Sequence, residues 1–201
     1  MTNTFFAYIS RMKNIKRWGL MPSSREENVA EHSLQVAMIA HALAVIQNTR
    51  FGGDLDAEHI MALAVYHETS EVITGDLVTP IKYFNEEITS AYKKIEKVAN
   101  EKMLNMLPED LQEEYLPLIE AEETEEGKKA YRYVKAADKI AAYTKCLEEL
   151  RSGNQEFSMA KKTLEEKILA MENEEGMEAV KVFMEEFIPS FMVTLDELNA
   201  H

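Results

Sequence analysis

Apolar side chains in this chain recur every three or four residues, segment after segment, and nowhere alternate with polar ones over a strand-like run. That period leaves little but α-helices to build with, and only seven glycines and five prolines interrupt it over 201 residues. The pattern predicts helices at about residues 3–16, 29–48, 56–74, 84–106, 109–120, 126–151, 155–172 and 174–199. Asn28 with Glu31 reads as an N-cap and capping-box pair opening the second helix. Asp56 reads as the cap of the third, and Gly75 as its stop. Glu120 to Gly127 is an acidic connector. With 46% hydrophobic side chains the chain can bury a core as one unit, and neither an internal repeat nor a linker divides it. The expectation is an all-α fold, a single helical bundle over residues 1–201 with its core at about 28–142.

Several classes of function drop out on bulk grounds. No run of about 18 apolar residues marks a membrane span, since the longest candidate, Val36 to Ile46, carries His41 in its middle. Met1-Thr-Asn-Thr-Phe-Phe lacks the charged and apolar regions of a signal peptide, so a cytoplasmic location without a membrane partner is expected. Cys146 stands alone, which excludes an intrachain disulfide and suits a small buried hydrophobe. The twelve methionines read as core filler, with some at a subunit interface. A net charge of −14 argues against a nucleic-acid polymer as partner. Residues 1–25 nevertheless hold Arg11, Lys13, Lys16, Arg17 and Arg25 and no acid. That island suits a small anion such as phosphate, or it is the solvated face of a basic amphipathic helix; composition leaves both open.

The chemistry lies in polar residues that interrupt apolar surroundings. In the helix from about 29 to 48, His32 shares a face with Val36, Ile39 and Leu43, whereas His41 points the other way. His67, Glu68 and Glu71 follow the apolar run Ile60-Met-Ala-Leu-Ala-Val-Tyr66 and, on an unbroken helix, cover about 100° of its surface. Three ionisable groups there are costly to bury without a cation, unless the wedge is simply solvated. Asp138 lies among small residues in Val134-Lys-Ala-Ala-Asp138-Lys-Ile-Ala-Ala142, where it needs a partner: a metal, or a salt bridge to Lys135 or Lys139. Together these residues give two imidazoles and two carboxylates, a mixed N/O set for Mn, Co, Fe or Zn. His67-Glu-Thr-Ser-Glu71 falls short of the H-E-x-x-H protease motif, no Glu-x-x-His pair precedes the helical histidines, and no phosphate-binding glycine loop is present.

The spacing His32…His67-Glu68…Asp138 resembles the H…HD…D pattern of the HD-domain metal-dependent phosphohydrolases. The surroundings sharpen the likeness. Arg11-Met-Lys-Asn-Ile-Lys-Arg-Trp18, Glu27-Asn-Val-Ala-Glu-His-Ser-Leu-Gln-Val-Ala37, Tyr66-His-Glu-Thr-Ser-Glu-Val72 and Thr74-Gly-Asp-Leu-Val-Thr-Pro-Ile-Lys-Tyr83 are similar to the bacterial 5′-deoxynucleotidases of the YfbR type. So are Lys135-Ala-Ala-Asp-Lys139, Lys145-Cys-Leu-Glu-Glu149 and Phe187-Ile-Pro-Ser-Phe191. The resemblance covers about residues 5–198. It implies hydrolysis of deoxyribonucleoside 5′-monophosphates by a cytoplasmic homodimer with a divalent cation such as Co, Mn or Zn. His32, His67, Glu68 and Asp138 are the implied metal ligands, His32 and Asp138 also bordering the substrate. Glu71 is the implied general base or acid. Arg17 and Trp18 are implied to orient the phosphate and favour deoxyribose, and Asp76, Leu77, Val78 and Thr79 to contact the nucleotide.

Two departures qualify the pattern. Most HD proteins have aspartate where this chain has Glu68, and related sequences often have proline where it has Val78. The first bears on metal preference; the second frees a backbone N–H and loosens the loop. Two other functions remain in play: an HD phosphohydrolase acting on nucleoside triphosphates or cyclic dinucleotides, and a non-catalytic nucleotide sensor.

Overall fold

In chain order the helices are α1 (Phe5–Ile9), α2 (Val29–Phe51), α3 (Ala57–Tyr66), α4 (Glu71–Thr74), α5 (Thr79–Lys82), α6 (Glu86–Leu104), α7 (Glu109–Ile119), α8 (Glu125–Arg151), α9 (Ser158–Glu172), α10 (Glu178–Glu186) and α11 (Leu195–Leu198). Shorter 3-10 turns lie at Ser10–Asn14, Ala121–Glu123, Gln155–Phe157 and Ile188–Met192. This computed structural model describes residues 3–82 and 84–200; Met1, Thr2, His201 and Tyr83, the last residue of the Thr74–Tyr83 motif, lie outside them. No strand occurs among the described residues, and the one extended pairing is an isolated bridge between Lys16 and Asn28.

Side-chain caps set several helix starts. Asn28 accepts the Glu31 N–H at 3.0 Å and Asp56 accepts the His59 N–H at 2.8 Å. The expected capping box at Asn28 forms only by half, because the Glu31 carboxylate turns outward to within 3.9 Å of Arg25. Val36, Ala40 and Leu43 of α2, Ile60, Leu63 and Ala64 of α3, and Val134, Ala137, Ile140 and Ala141 of α8 are wholly buried together. Each large aliphatic there contributes about 1.5–3 kcal/mol by leaving water. The alanines keep α8 close against α2 and α3. Ile168 of α9 and Val180 and Phe183 of α10 close the other side. A second cluster, Phe5 with Met103, Leu104 and Leu107, ties α1 to α6 beneath the corner between α3 and α4.

By length and composition α2 could cross a bilayer, a property missed by counting consecutive apolar residues. Even so, 56% of that stretch is buried inside the molecule. It is packed against α3 and α8, as the core helix of a bundle is.

Some expected helices are broken. The segment 56–74 stops at Tyr66, makes a tight corner at 67–70 and resumes at Glu71. The cause is local. The His67 ring donates from Nδ1 to the Ala64 carbonyl at 2.7 Å, and the Thr69 hydroxyl and N–H both reach the Tyr66 carbonyl, at 2.7 and 3.0 Å. Side chains thus take carbonyls that a continuing helix would have used. The expected helix 174–199 breaks where Pro189 lacks an N–H, leaving a 3-10 turn and the short α11. Residues 3–16 and 155–172 also split, each into a 3-10 and an α-helical part, and α5 was not foreseen. Gly75, at φ 73°, ends α4 as expected. At Gly127 a Cβ would lie 1.9 Å from the Ala121 carbonyl oxygen, so only glycine lets α8 start against the preceding turn.

Candidate metal centre

The corner after α3 is what assembles the site. His67 ends that helix, Glu68 sits in the tight turn, His32 comes from the first turn of α2 and Asp138 from the middle of α8. One donor atom from each of the four lies within 4.8 Å of all the others. His32 Nε2 is 3.0 Å from Asp138 Oδ1, and His67 Nε2 is 3.4 Å from Glu68 Oε1. The two imidazole rings are 5.6 Å apart between centroids. His41 stands outside the cluster, as its position on the helix required.

Hydrogen bonding decides which way the nitrogens face. Because the His67 Nδ1–H is committed to a carbonyl, its Nε2 lone pair points at the carboxylates, and that buried atom has no hydrogen-bond partner. One buried oxygen of Glu71 is unpartnered in the same way. Leaving such groups unsatisfied costs roughly 1–3 kcal/mol each, and the donors nearby, His32 Nε2 and Lys139 at Asp138 and Arg17 at Glu27, are committed and do not relieve them. A divalent cation of borderline hardness does, so the donor set fits one. Glu68 belongs to the ring despite its extra methylene. The salt bridge left open for Asp138 forms, since Lys139 takes its Oδ2 at 2.6 Å, while Oδ1 lies 3.0 Å from His32 Nε2 within the cluster. Lys135 turns away to Glu122.

The charges around the cluster reinforce one another. Burial opposes ionisation of Asp138, but Lys139, His32 and Arg17 outweigh it and hold the carboxyl well below its ordinary value. Burial lowers the His67 pKa, which keeps the ring neutral and its lone pair available. Glu71, 5% exposed at the start of α4, is pushed up to about 10, first by burial and then by the carboxylates of Glu68 and Asp76. A cation beside it would oppose that push.

Arg17 is the arginine that the site pulls in. Burial works against its charge, yet Asp138, Glu68, Glu27 and Asp76 together raise its pKa above the ordinary value. Its Nη1 lies 3.7 Å from Glu68 and its Nε donates to Glu27 at 3.2 Å. The basic N-terminal segment is therefore not one continuous amphipathic helix, and its charges divide, with Arg11 and Lys13 exposed. Lys16 pairs with Glu26 in solvent and Arg25 lies near Glu31, which leaves Arg17 to face the site. Trp18 packs on Phe157 at 5.1 Å between ring centroids. Asp76 feels Arg17, Glu68 and His32 electrostatically, while Leu77 and Val78 run half-buried beyond it and Thr79 is exposed, all outside the four-donor cluster.

Residues that sequence reasoning missed hold this arrangement in place. Glu27 receives both the Arg17 Nε–H and, at 2.8 Å, the Trp18 indole N–H. Glu149, wholly buried on α8, accepts from the Ser24 and Arg25 backbone at 2.8 and 3.3 Å, from Lys145 at 2.5 Å and from Asn154 at 2.8 Å. Lys145 in turn donates to the Arg25 carbonyl, and Asn154 to that of Pro22. The only local signal was the opposite-charge pair Lys145 and Glu149, four apart on a helix; nothing local pointed to Glu27.

Comparison with known proteins agrees with this geometry. The family model described as 5′-deoxynucleotidase YfbR-like matches residues 4–191. A 5′-deoxynucleotidase YfbR of Salmonella arizonae is 54% identical over 195 residues, covering 97% of this chain and 95% of the relative. One from Escherichia coli O1:K1 is 52% identical over the same shares. Among solved structures, an HD-domain phosphohydrolase from Listeria innocua superposes with a TM-score of 0.79 at 24% identity, over 98% of this chain and 92% of that one. A cyanophage S-2L HD phosphohydrolase, bound to dA and one catalytic Zn2+, gives 0.62 at 18% identity over 92% and 96%. Those two likenesses carry the fold, the sequence matches carry the lineage, and together they make this chain a member of the YfbR-like 5′-deoxynucleotidase family, built on an HD-type helical fold.

Proposed function

We propose that this chain hydrolyses deoxyribonucleoside 5′-monophosphates to the deoxynucleoside and phosphate, as a phosphoric monoester hydrolase dependent on a divalent cation. The observation that carries the proposal is the partly buried ring of His32, His67, Glu68 and Asp138 with an unpartnered Glu71 oxygen beside it. Those four residues are assigned as ligands. When bound, the cation neutralises the phosphate dianion and lowers the pKa of water toward neutrality. With the cation opposing the push on its pKa, Glu71 in its carboxylate form would hold the attacking water, take its proton at the unpartnered oxygen and return one to the leaving 5′-oxygen. Arg17 offers its guanidinium edge to the non-bridging phosphoryl oxygens. Trp18 forms a flat wall against the sugar, where a 2′-hydroxyl has no room. Asp76, Leu77, Val78 and Thr79 border the nucleotide, together with His32 and Asp138. Catalysis of this kind supports Glu71 in place against a binding-only sensor, which has no use for a buried carboxyl beside the ligands. The whole stretch 1–201 is read as one domain.

The proposal extends to a cytoplasmic homodimer. Leu34, Met38 and Val45 of α2, each more than two-fifths exposed, recur along one face of that helix, and Met61 and Val65 of α3 are exposed beside them in sequence order. Sedimentation of a monomer at all working concentrations would refute the dimer. For the activity, metal-stripped protein resupplied with Co, Mn, Zn or Mg is assayed for phosphate release from dAMP, AMP and dATP. Metal-dependent release favouring dAMP is expected. Turnover of dATP but not dAMP would transfer the chain to triphosphate hydrolysis, and binding of dAMP without turnover would make it a sensor. Trp18→Ala is expected to narrow the dAMP-to-AMP ratio; an unchanged ratio would remove Trp18 from sugar selection.

A further inference from the structure

One carboxylate oxygen organises the substrate side of the site. Glu27 Oε2 receives the Arg17 Nε–H at 3.2 Å and the Trp18 indole N–H at 2.8 Å. Glu27 is itself only 7% exposed, so water does not compete strongly for that oxygen. The backbone repeats the connection, since the Arg17 N–H donates to the Glu27 carbonyl at 3.0 Å and the Lys16–Asn28 bridge closes the loop behind it. Trp18 has φ 59°, the left-handed region in which a bulky residue is strained. Such a conformation persists only when its surroundings over-determine it. Here they do: the indole is bonded to Glu27 at its nitrogen and backed by Phe157 across its face. With Nε committed to Glu27, the Arg17 guanidinium is directed so that Nη1 faces Glu68.

The geometry points to Glu27 as a positioning and specificity-determining residue, which seats Arg17 and Trp18 as one rigid unit through a shared carboxylate oxygen without touching the reacting atoms. The inference rests on the proposed deoxynucleotidase reading. Orientation of the phosphate and exclusion of the 2′-hydroxyl are therefore linked. Loosening Glu27 loosens both, and the two should fail together. What Glu27 supplies is the reach of an acceptor to two donors rather than a charge, because Arg17 already lies among three other carboxylates.

The two conservative variants separate these possibilities, and the chain has a single tryptophan to report on the seat. Glu27→Gln keeps the length and one carbonyl acceptor; Glu27→Asp keeps the charge and loses the reach. Each is loaded with the metal that supports wild-type turnover, then compared by kcat and KM for dAMP and AMP and by the emission maximum and iodide quenching of Trp18. For Glu27→Asp we expect red-shifted, more quenchable emission, a KM for dAMP raised about tenfold and a dAMP-to-AMP ratio reduced at least fivefold. Glu27→Gln should stay within about threefold of wild type on every count. Retained emission and ratio in Glu27→Asp, or their loss in Glu27→Gln alone, would overturn the seat. The emission does not depend on turnover. A wild type that releases no phosphate would overturn the deoxynucleotidase reading and the specificity role, while the seating of Trp18 would still be judged from its emission.

Discussion

Two buried ionisable ensembles meet on α8, and they are built on opposite principles. Around Asp138 the polar atoms outrun their partners: His67 Nε2 and one Glu71 oxygen have none. About three turns further along the same helix, Glu149 is more deeply buried, yet its oxygens receive two backbone N–H groups, a lysine and an asparagine. Both sites carry charge into the interior. Only the second satisfies itself. Burying a charge is tolerable when every lone pair has a donor, so Glu149 reads as an anchor that holds residues 22–25 against α8. Where lone pairs converge without donors, the protein has left coordination for something that it does not itself contain. Burial alone identifies neither site, because the difference lies in what remains unsatisfied.

The largest expected effect would break the metal half of the comparison. His67→Ala should lose cation retention and phosphate release from dAMP by more than the roughly 10- to 100-fold that a merely supporting residue costs. It should also lose the melting-temperature gain that bound metal gives wild type, a stabilisation of about 2.7 kcal/mol at a hundred times Kd. Elemental analysis of the purified variant showing wild-type metal content would remove His67 from the ligand set.

Glu149→Ala tests the anchor half. It leaves the Lys145 ammonium, 4% exposed, with the Arg25 carbonyl alone, and breaking a buried pair this way costs about 3–5 kcal/mol. Urea melts should show that loss while the residual folded protein still retains metal. A loss under 1 kcal/mol would mean that the pair is not an anchor.

Acid sharpens the same contrast. Although burial opposes ionisation of Glu149, its bonds to Lys145, Ser24 and Asn154 win and hold its pKa at about 2, below the ordinary 4.5. A carboxyl depressed in the folded state stabilises above its unfolded value, and that contribution is lost as pH falls through the folded one. Wild-type stability should therefore decline from about pH 4.5 toward 2, and Glu149→Gln should flatten that limb. Parallel acid limbs in the two proteins would count against the assignment.

The smallest effect is expected where charges stay in water. Arg50 pairs with Glu186 at 2.6 Å, both about half exposed, and exposed pairs of this kind contribute little. Arg50→Ala should change neither melting temperature nor turnover measurably; a clear loss of either would show that surface pairing matters more here than the buried contrast implies.

Much of this was legible residue by residue. The helical class followed from one period, the caps at Asn28 and Asp56 from their side chains, and the four converging donor residues from polar positions stranded in apolar runs. The break after Tyr66 was not legible, because Thr69 and the His67 ring end the helix by hydrogen bonds to carbonyls that periodicity cannot see. For the same reason the wedge of His67, Glu68 and Glu71, read on an unbroken helix, is a corner in the structure. Glu27 and Glu149 look like ordinary surface acids in the sequence. Their partners lie nine and ten residues away for the first and up to 125 for the second.

What the sequence determined by itself was therefore the local part: which segments become helices, which residue types interrupt them, and the chemical kind of donor set they offer. Those depend on interactions within a turn or two. The tertiary structure decided which lone pairs would be left without donors, which acid would steer Arg17 and Trp18, and which would be consumed as an anchor. Such outcomes depend on desolvation and on partners from distant segments, and the same glutamate is a solvated charge, an anchor or a guide according to what the fold brings against it.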